Sequence, residues 1–235
     1  MMIHQFILAA PKPGMTALEF QDYWVNVHAV KFAGRIPQIR KYLIDSRIPF
    51  DADLGSPALP HQGIAEIWLE NEEEQLASLQ TEEFLQGARL DEPNWAAFWQ
   101  SMVIDTTAYE IVPGPALDEQ NPGRVKLTVL LKRAPGVELA DYRERTLGAY
   151  AGVVAEAPGL RRYLHAHTRD GYYVFGEASF DSVEQLWFDD EQSLRAALSS
   201  PWFAELKAAQ EGLVDPKYVF SLAATESWII GPDPR

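Results

Sequence analysis

Hydrophobic and polar positions along the chain follow two periods, and the order in which the periods appear repeats. Ile3–Ala9 reads as a strand, with His4 and Phe6 on one face and Ile3, Gln5 and Ile7 on the other. A Pro/Gly turn follows, and then a helical pattern opens with Thr16 and Glu19 at capping-box spacing just before Phe20. With Phe20 at 0° and about 100° per residue, Trp24 falls at about 40°, Val27 at about 340° and Tyr23 at about 300°, which defines the buried stripe; His28 falls at about 80°, on its edge. Pro37-Gln38-Ile39-Arg40-Lys41-Tyr42-Leu43 starts a second strand and Ile64–Leu69 forms a third. An acidic amphipathic helix and a last strand ending Ile111-Val112-Pro113-Gly114-Pro115 complete the series.

The same series returns. Val125–Lys132 is the next strand, Pro158-Gly159-Leu160-Arg161-Arg162-Tyr163-Leu164 matches Pro37–Leu43, and Ile229-Ile230-Gly231-Pro232 matches the earlier Gly-Pro ending. Arg169-Asp170-Gly171 predicts a tight hairpin into a strand over Val174–Phe180, which makes Glu177 the equivalent of Glu66 in the first copy. The pattern therefore predicts two tandem βαββαβ units, an α+β fold of ferredoxin-like type. Residues 1–112 form the first unit, 113–123 a Pro/Gly-rich linker and 124–235 the second. Each unit stacks two helices on one face of an antiparallel sheet and leaves the other face in need of a partner sheet, which the tandem copy supplies within the chain.

Composition narrows the function classes. A formal charge of −14 over 235 residues argues against nucleic acid as a partner, since phosphate neutralisation requires a basic stripe. No apolar run reaches the roughly 20 residues of a membrane span, and no basic-then-apolar leader opens the chain. The absence of cysteine removes thiolate chemistry and cysteine-ligated metal, and fits a cytoplasmic location. No phosphate-binding loop, dinucleotide fingerprint or nucleophile elbow is present. The expected partners are a small-molecule substrate and, if the fused copy leaves a face open, a second chain in a homodimer.

His28 leads the candidate chemistry. A helix-edge imidazole touches both the interior and a cleft, although helix-edge histidines also serve as plain hydrogen-bonded surface groups. His4 is a candidate for the cleft beneath the first helix, where it would join His28 in binding substrate, although polar residues of terminal strands more often face solvent. Glu66 is expected to pair with Arg40, and Glu177 with Arg161, because a buried carboxylate is costly without a partner. The long connection 45–62, with Pro49, Pro57 and Pro60, reads as a lid or binding element or as a passive surface insertion, and His61 at its end is a candidate for the site. Trp24, Trp95 and Trp99 are candidates for a flat apolar pocket wall. His165 and His167 share a strand face, but no third ligand at fixed spacing accompanies them, so no metal is expected.

The run Phe20-x-x-Tyr23-Trp24-x-x-x-His28-Ala29, followed by Ile36-Pro37-x-x-Arg40-x-Tyr42 and Gly63-Ile64-Ala65-Glu66-Ile67-Trp68, resembles the EthD-like branch of the dimeric α+β barrel superfamily. The resemblance implies that the two units form an intrachain dimeric α+β barrel. It also implies an enzyme without cofactor, of the isomerase, cyclase or dehydratase-type lyase kind, or an oxygenase, acting on small cyclic, aromatic or polyketide-like compounds; some relatives have no assigned activity. His28 would be the general acid-base, Tyr42 or Tyr23 the donor to a developing oxyanion, and Phe20 and Trp24 the pocket wall. The helix of the second copy has Tyr142, Thr146 and Tyr150 where the first has Phe20, Trp24 and His28, so the imidazole chemistry belongs to the first copy alone. A non-catalytic small-molecule binder is the rival from another class.

Overall fold

A computed structural model describes residues 2–50, 59–114, 124–174 and 176–235. Among the described residues there are eight strands: β1 (Ile3–Ala9), β2 (Lys41–Arg47), β3 (Gly63–Leu69), β4 (Met102–Val112), β5 (Val125–Arg133), β6 (Leu160–Thr168), β7 (Ser182–Phe188) and β8 (Val214–Ile230). They hydrogen-bond in the order β1-β3-β2-β8-β5-β7-β6-β4, an antiparallel α+β barrel. The helices are α1 (Ala17–Tyr23), α2 (Glu72–Ser78), α3 (Arg89–Asp91), α4 (Leu139–Arg145), α5 (Ala151–Ala155), α6 (Glu191–Leu198) and α7 (Pro201–Gln210). The chain divides into two compact units: Met1–Arg47, Pro60–Thr107 and Glu226–Arg235 in the first, Ile48–Leu59 and Ala108–Thr225 in the second. Most of the expected linker, residues 115–123, lies outside the described residues, as do residues 51–58 of the long connection.

In the first unit β1 pairs with β3 and β4, and β2 pairs with β3. The strand face carrying Ile3, Ile7, Ala9, Tyr42, Ile44, Ala65 and Ile67 packs on the helices and joins Phe20, Trp24, Ile36 and Trp95 in one apolar core. His4, Phe6 and Glu66 fall on the alternate face, because side chains switch sides at every residue. This corrects the expectation for His4. It does not lie under the first helix beside His28; it stacks on Trp68 at 4.2 Å and bonds Glu66 at 2.6 Å.

The helix containing His28 starts as expected. The Thr16 hydroxyl accepts from the Glu19 N–H at 3.2 Å, and the Glu19 carboxylate accepts from the Thr16 N–H at 2.9 Å. That backbone N–H, the leading cause, and the Thr16 hydroxyl hold the Glu19 carboxyl below the usual range. After Tyr23 the helix widens into a π turn over Trp24–Ala29. An i→i+5 turn advances each residue by only about 80°, so four steps from Trp24 bring His28 round to about the direction of Phe20. His28 therefore sits inside the stripe, 5% exposed, rather than on its edge.

At the start of β3, Gly63 is required by close approach. A Cβ there would lie 2.6 Å from the Asp45 carbonyl oxygen and 3.0 Å from the Trp24 ring. The absence of a side chain lets the indole rest directly on the strand.

In the second unit the third strand is Ser182–Phe188, not Val174–Phe180, and the connection to it is a loop with a 3₁₀ turn at Asp170–Tyr173 rather than a tight hairpin. The true strand is buried at every position and shows no alternation to read. Its polar members are held inside by hydrogen bonds: Tyr163 donates to Glu184 at 2.9 Å, Tyr150 donates at 3.1 Å, and His165 Nδ1 lies 3.0 Å away. Glu177 consequently stands on an exposed loop with Lys132 and Arg133, while Arg161 bonds Asp189. In the first unit Arg40 lies 3.9 Å from Glu74, and Glu66 takes His4 instead.

Burial of His167 beside Thr146 has a measurable consequence. Desolvation, with help from the neighbouring His165 and Arg143, pushes its pKa from 6.5 down to about 3. The folded value lies below the unfolded one, so the neutral ring's contribution is fully present above about pH 6.5 and is lost as the pH falls toward about 3. Unfolding free energy should drop by on the order of a few kcal/mol across that interval from this ring, and His28 and His61 act in the same direction. In denaturation at stepped pH, His167→Gln should flatten the acid limb. An unchanged slope would assign the acid sensitivity elsewhere.

Candidate active site

A cavity of about 100 Å³ lies inside the first unit between the helices and the sheet. That is several times the roughly 10–15 Å³ needed by one water. Its walls are almost wholly apolar: Ile7, Ile36, Ile39 and Ile67 from strands and connections, Phe84 and Phe98 toward the opening, and Trp24 and Trp95 as flat sides. Trp95 lies 4.8 Å from Trp24 and 4.7 Å from the His28 ring, so the two indoles and the imidazole form one aromatic corner.

Four polar side chains reach this cavity: His28, Tyr42, Glu92 and Ser101. His28 Nδ1 lies 2.9 Å from Asp91 Oδ2. The other Asp91 oxygen accepts from the Tyr23 hydroxyl at 2.8 Å and from Asn94 Nδ2 at 3.0 Å. Burial would raise the Asp91 carboxyl, but the bonds from Asn94, His28 and Tyr23 outweigh it and hold it below the ordinary value. Desolvation leads for His28 and lowers its pKa, against the raising influence of Asp91. The outcome is a neutral imidazole that donates Nδ1–H to an ionised carboxylate. This tautomer leaves Nε2 with a free lone pair, the form a general base requires.

Tyr42 lies in β2 on the helix-facing side, fully buried. Burial pushes its hydroxyl far up, with the Trp24 indole in hydrogen-bonding contact, so it keeps its proton. It is suited to donate to an oxyanion, not to act as a base.

The expected site residues therefore divide. His28, Tyr42, Trp24 and Trp95 line the cavity. Phe20 backs it, packed edge-on against Trp24 at 5.3 Å. Tyr23 does not line it; its hydroxyl is committed to Asp91 and supports the pair from behind. His61 is buried and its Nε2 bonds the Gln100 carbonyl at 2.8 Å, so it fastens the Phe98–Gln100 turn instead of reaching the cavity. Trp99 on that turn is 72% exposed, and the neighbouring Phe98 takes the wall position. His4 and Glu66 belong to the opposite strand face. The ends of the long connection are tied to α1, since Gln21 Nε2 donates to the carbonyls of Arg47 and Gln62 at 2.8 Å each.

Asp91 and Glu92 are the functional-looking residues that sequence reasoning overlooks. Their signal was faint but present: two acids directly before Pro93, at the break of a helical pattern, where the chain turns inward. Among the described residues one other carboxylate group gathers in the first unit. Asp45, Glu66 and Glu226 bring oxygens within 4.8 Å of one another, a donor set of hard-cation type, with His4 on Glu66. Among the described residues no helix is long and apolar enough to cross a membrane.

The EthD domain matches residues 12–98 and again 134–217. No curated protein matches the sequence. An anthrone oxidase-like protein of known structure is similar over 97% of this chain and 93% of its own, with a TM-score of 0.64 at 11% identity. An EthD family protein from Bacillus halodurans C-125 covers 44% of this chain with 99% of its own, at 21% identity and a TM-score of 0.37. SnoaB, a cofactor-independent oxygenase from Streptomyces nogalater, covers 44% with 92% of its own, at 18% identity and a TM-score of 0.34. At 11% identity the likeness to the anthrone oxidase-like protein is one of fold.

Proposed function

Because the chain belongs to the EthD domain family, with both copies matched, we propose that its first copy is a proton-transfer enzyme acting without a cofactor on a small cyclic or aromatic substrate. The reaction is a dehydratase-type elimination, an isomerisation or a cyclisation. The observation that carries this reading is the His28–Asp91 pair at the wall of an apolar cavity. His28 Nε2 takes a proton from a carbon or hydroxyl of the bound ring. Asp91 holds the ring tautomer and stabilises the imidazolium that forms, while Tyr23 and Asn94 fix Asp91 in turn. Tyr42 donates to the enolate oxygen. The aromatic walls exclude water, which strengthens each of these interactions.

The second copy contributes no such pocket in this reading. Tyr150 stands where His28 would, and Tyr150, Tyr163, His165 and Glu184 are all buried and bonded to one another. One working pocket per chain follows.

Turnover in heavy water within a sealed oxygen-electrode cell tests the reading. Solvent deuterium should enter the substrate carbon or the product with no oxygen consumed. Stoichiometric oxygen uptake would favour a cofactor-free oxygenase, in which the same deprotonated carbon meets dioxygen. Saturable binding of the true ligand with neither signal would make the protein a binder.

A further inference from the structure

Among the described residues Glu92 is the only carboxyl group on the cavity wall, and nothing in the mechanism above uses it. It begins the 3₁₀ turn Glu92–Asn94, half-buried, one residue past the aspartate that holds His28. Arg89 on α3 and Asp91 beside it are the charged groups acting on it, and His28 is the titratable ring across the cavity. Trp95, three residues on, lines the same space with a buried indole N–H that finds no acceptor among the described residues. Two donor-capable groups from one short turn thus meet a slot whose walls are almost wholly apolar. A ligand oxygen bound there would accept from both.

We propose that Glu92 is the acid of this pocket: as a neutral carboxyl group it donates a hydrogen bond, and in the reaction a proton, to the carbonyl or hydroxyl oxygen of the bound ring, with Trp95 as the neighbouring donor. The reactive part rests on His28 as the base. In an elimination, His28 Nε2 takes the C–H proton and the C–H electron pair becomes the new C=C bond. The C–O bond breaks, and the Glu92 proton leaves with that oxygen as water. Imidazolium and carboxylate then return to their starting forms by proton exchange with solvent. Burial supplies the needed state, because desolvation raises the Glu92 carboxyl to about 7, with Asp91 adding to the rise and Arg89 opposing it. Desolvation moves His28 the other way, below 6.5. A change in binding that Glu92→Gln abolishes therefore reports Glu92 and not His28.

The experiment uses 1-indanone, a planar aromatic ketone that does not ionise in this range, titrated by ligand-observed NMR. If only the neutral acid binds, the bound-competent fraction falls from roughly nine-tenths at pH 6 to a few hundredths at pH 8.5, and the apparent Kd rises about thirty-fold. Glu92→Gln keeps a donor at every pH and should bind equally well at both. A wild-type affinity that is flat from pH 6 to 8.5, or no binding at pH 6, overturns the proposal without any variant. The same pH slope in Glu92→Gln overturns it as well. Exchange of the ketone's α-hydrogens with solvent deuterium reads His28 separately: exchange that persists in His28→Ala defeats the base assignment while leaving the binding result for Glu92 standing.

Discussion

His28→Ala is expected to lower turnover by about two to four powers of ten, the usual worth of a positioned acid-base group. The variant should remain folded, because the ring leaves a small gap at the margin of an existing cavity rather than a void in the middle of the core. Asp91→Asn separates positioning from chemistry. An asparagine still occupies the space between Tyr23 and His28, but it presents an amide to Nδ1 in place of a carboxylate, so the ring loses both its fixed tautomer and the partner of its charged form. The expected result is a fall in kcat of about a hundredfold or more with KM little changed, and a lower kinetic pKa for the imidazole. Undiminished turnover in folded His28→Ala would remove the imidazole from the mechanism. A loss in Asp91→Asn confined to KM would make Asp91 a scaffold residue only.

The second large effect is on stability. Trp24→Ala should destabilise the protein by about 3–5 kcal/mol. The indole is 2% exposed, packs against Phe20 and Trp95, and lies on the bare backbone at Gly63. Its removal joins new empty space to a cavity already there, and strands on one side with a π turn on the other cannot easily collapse into it. In urea the midpoint should fall with the slope unchanged. A loss below about 1 kcal/mol would mean that the neighbouring aromatic rings close the gap by themselves.

Much of the first copy could be read from its residues because local chemistry and tertiary demand agree there. The run Ile3–Ala9 is a strand with those bounds, buried on both faces, and Thr16 with Glu19 marks the helix start. His28, Tyr42, Trp24 and Trp95 were legible as wall residues because helix stripe, strand face and aromatic content all point to one space. The errors have identifiable causes. A regular helical wheel assumes one pitch, and the π turn at Trp24–Ala29 changes it, so His28 is buried where an edge was expected. The inward face of β1 is decided by packing, and the polar His4 lies on the face away from the helices because Glu66 and Trp68 receive it there. β7 was missed because a strand enclosed on both sides has no period, and a carboxylate in its middle looks like a surface signal until Tyr150, Tyr163 and His165 are seen around it. Asp91 and Glu92 act through a turn whose geometry depends on the break at Pro93, which residue spacing does not specify.

One feature of the first unit bears on how the protein is made. Ile229 and Ile230 pack into the same core as Trp24 and His28's neighbours, and the Arg235 guanidinium donates to the carbonyls of Gly34 and Ile39 at 3.0 and 2.8 Å, on the segment that carries Ile36 and Ile39 to the cavity wall. Residues 226–235 are the last of the 235 to be synthesised, yet they complete the unit that begins at the other end. During translation the proposed catalytic copy is therefore the earlier to emerge and the later to finish, waiting with an open seam while the whole of its companion passes through the ribosome. A gene cut between the copies, or Arg235→Ala, would act on the pocket from a place that looks remote on a sequence map.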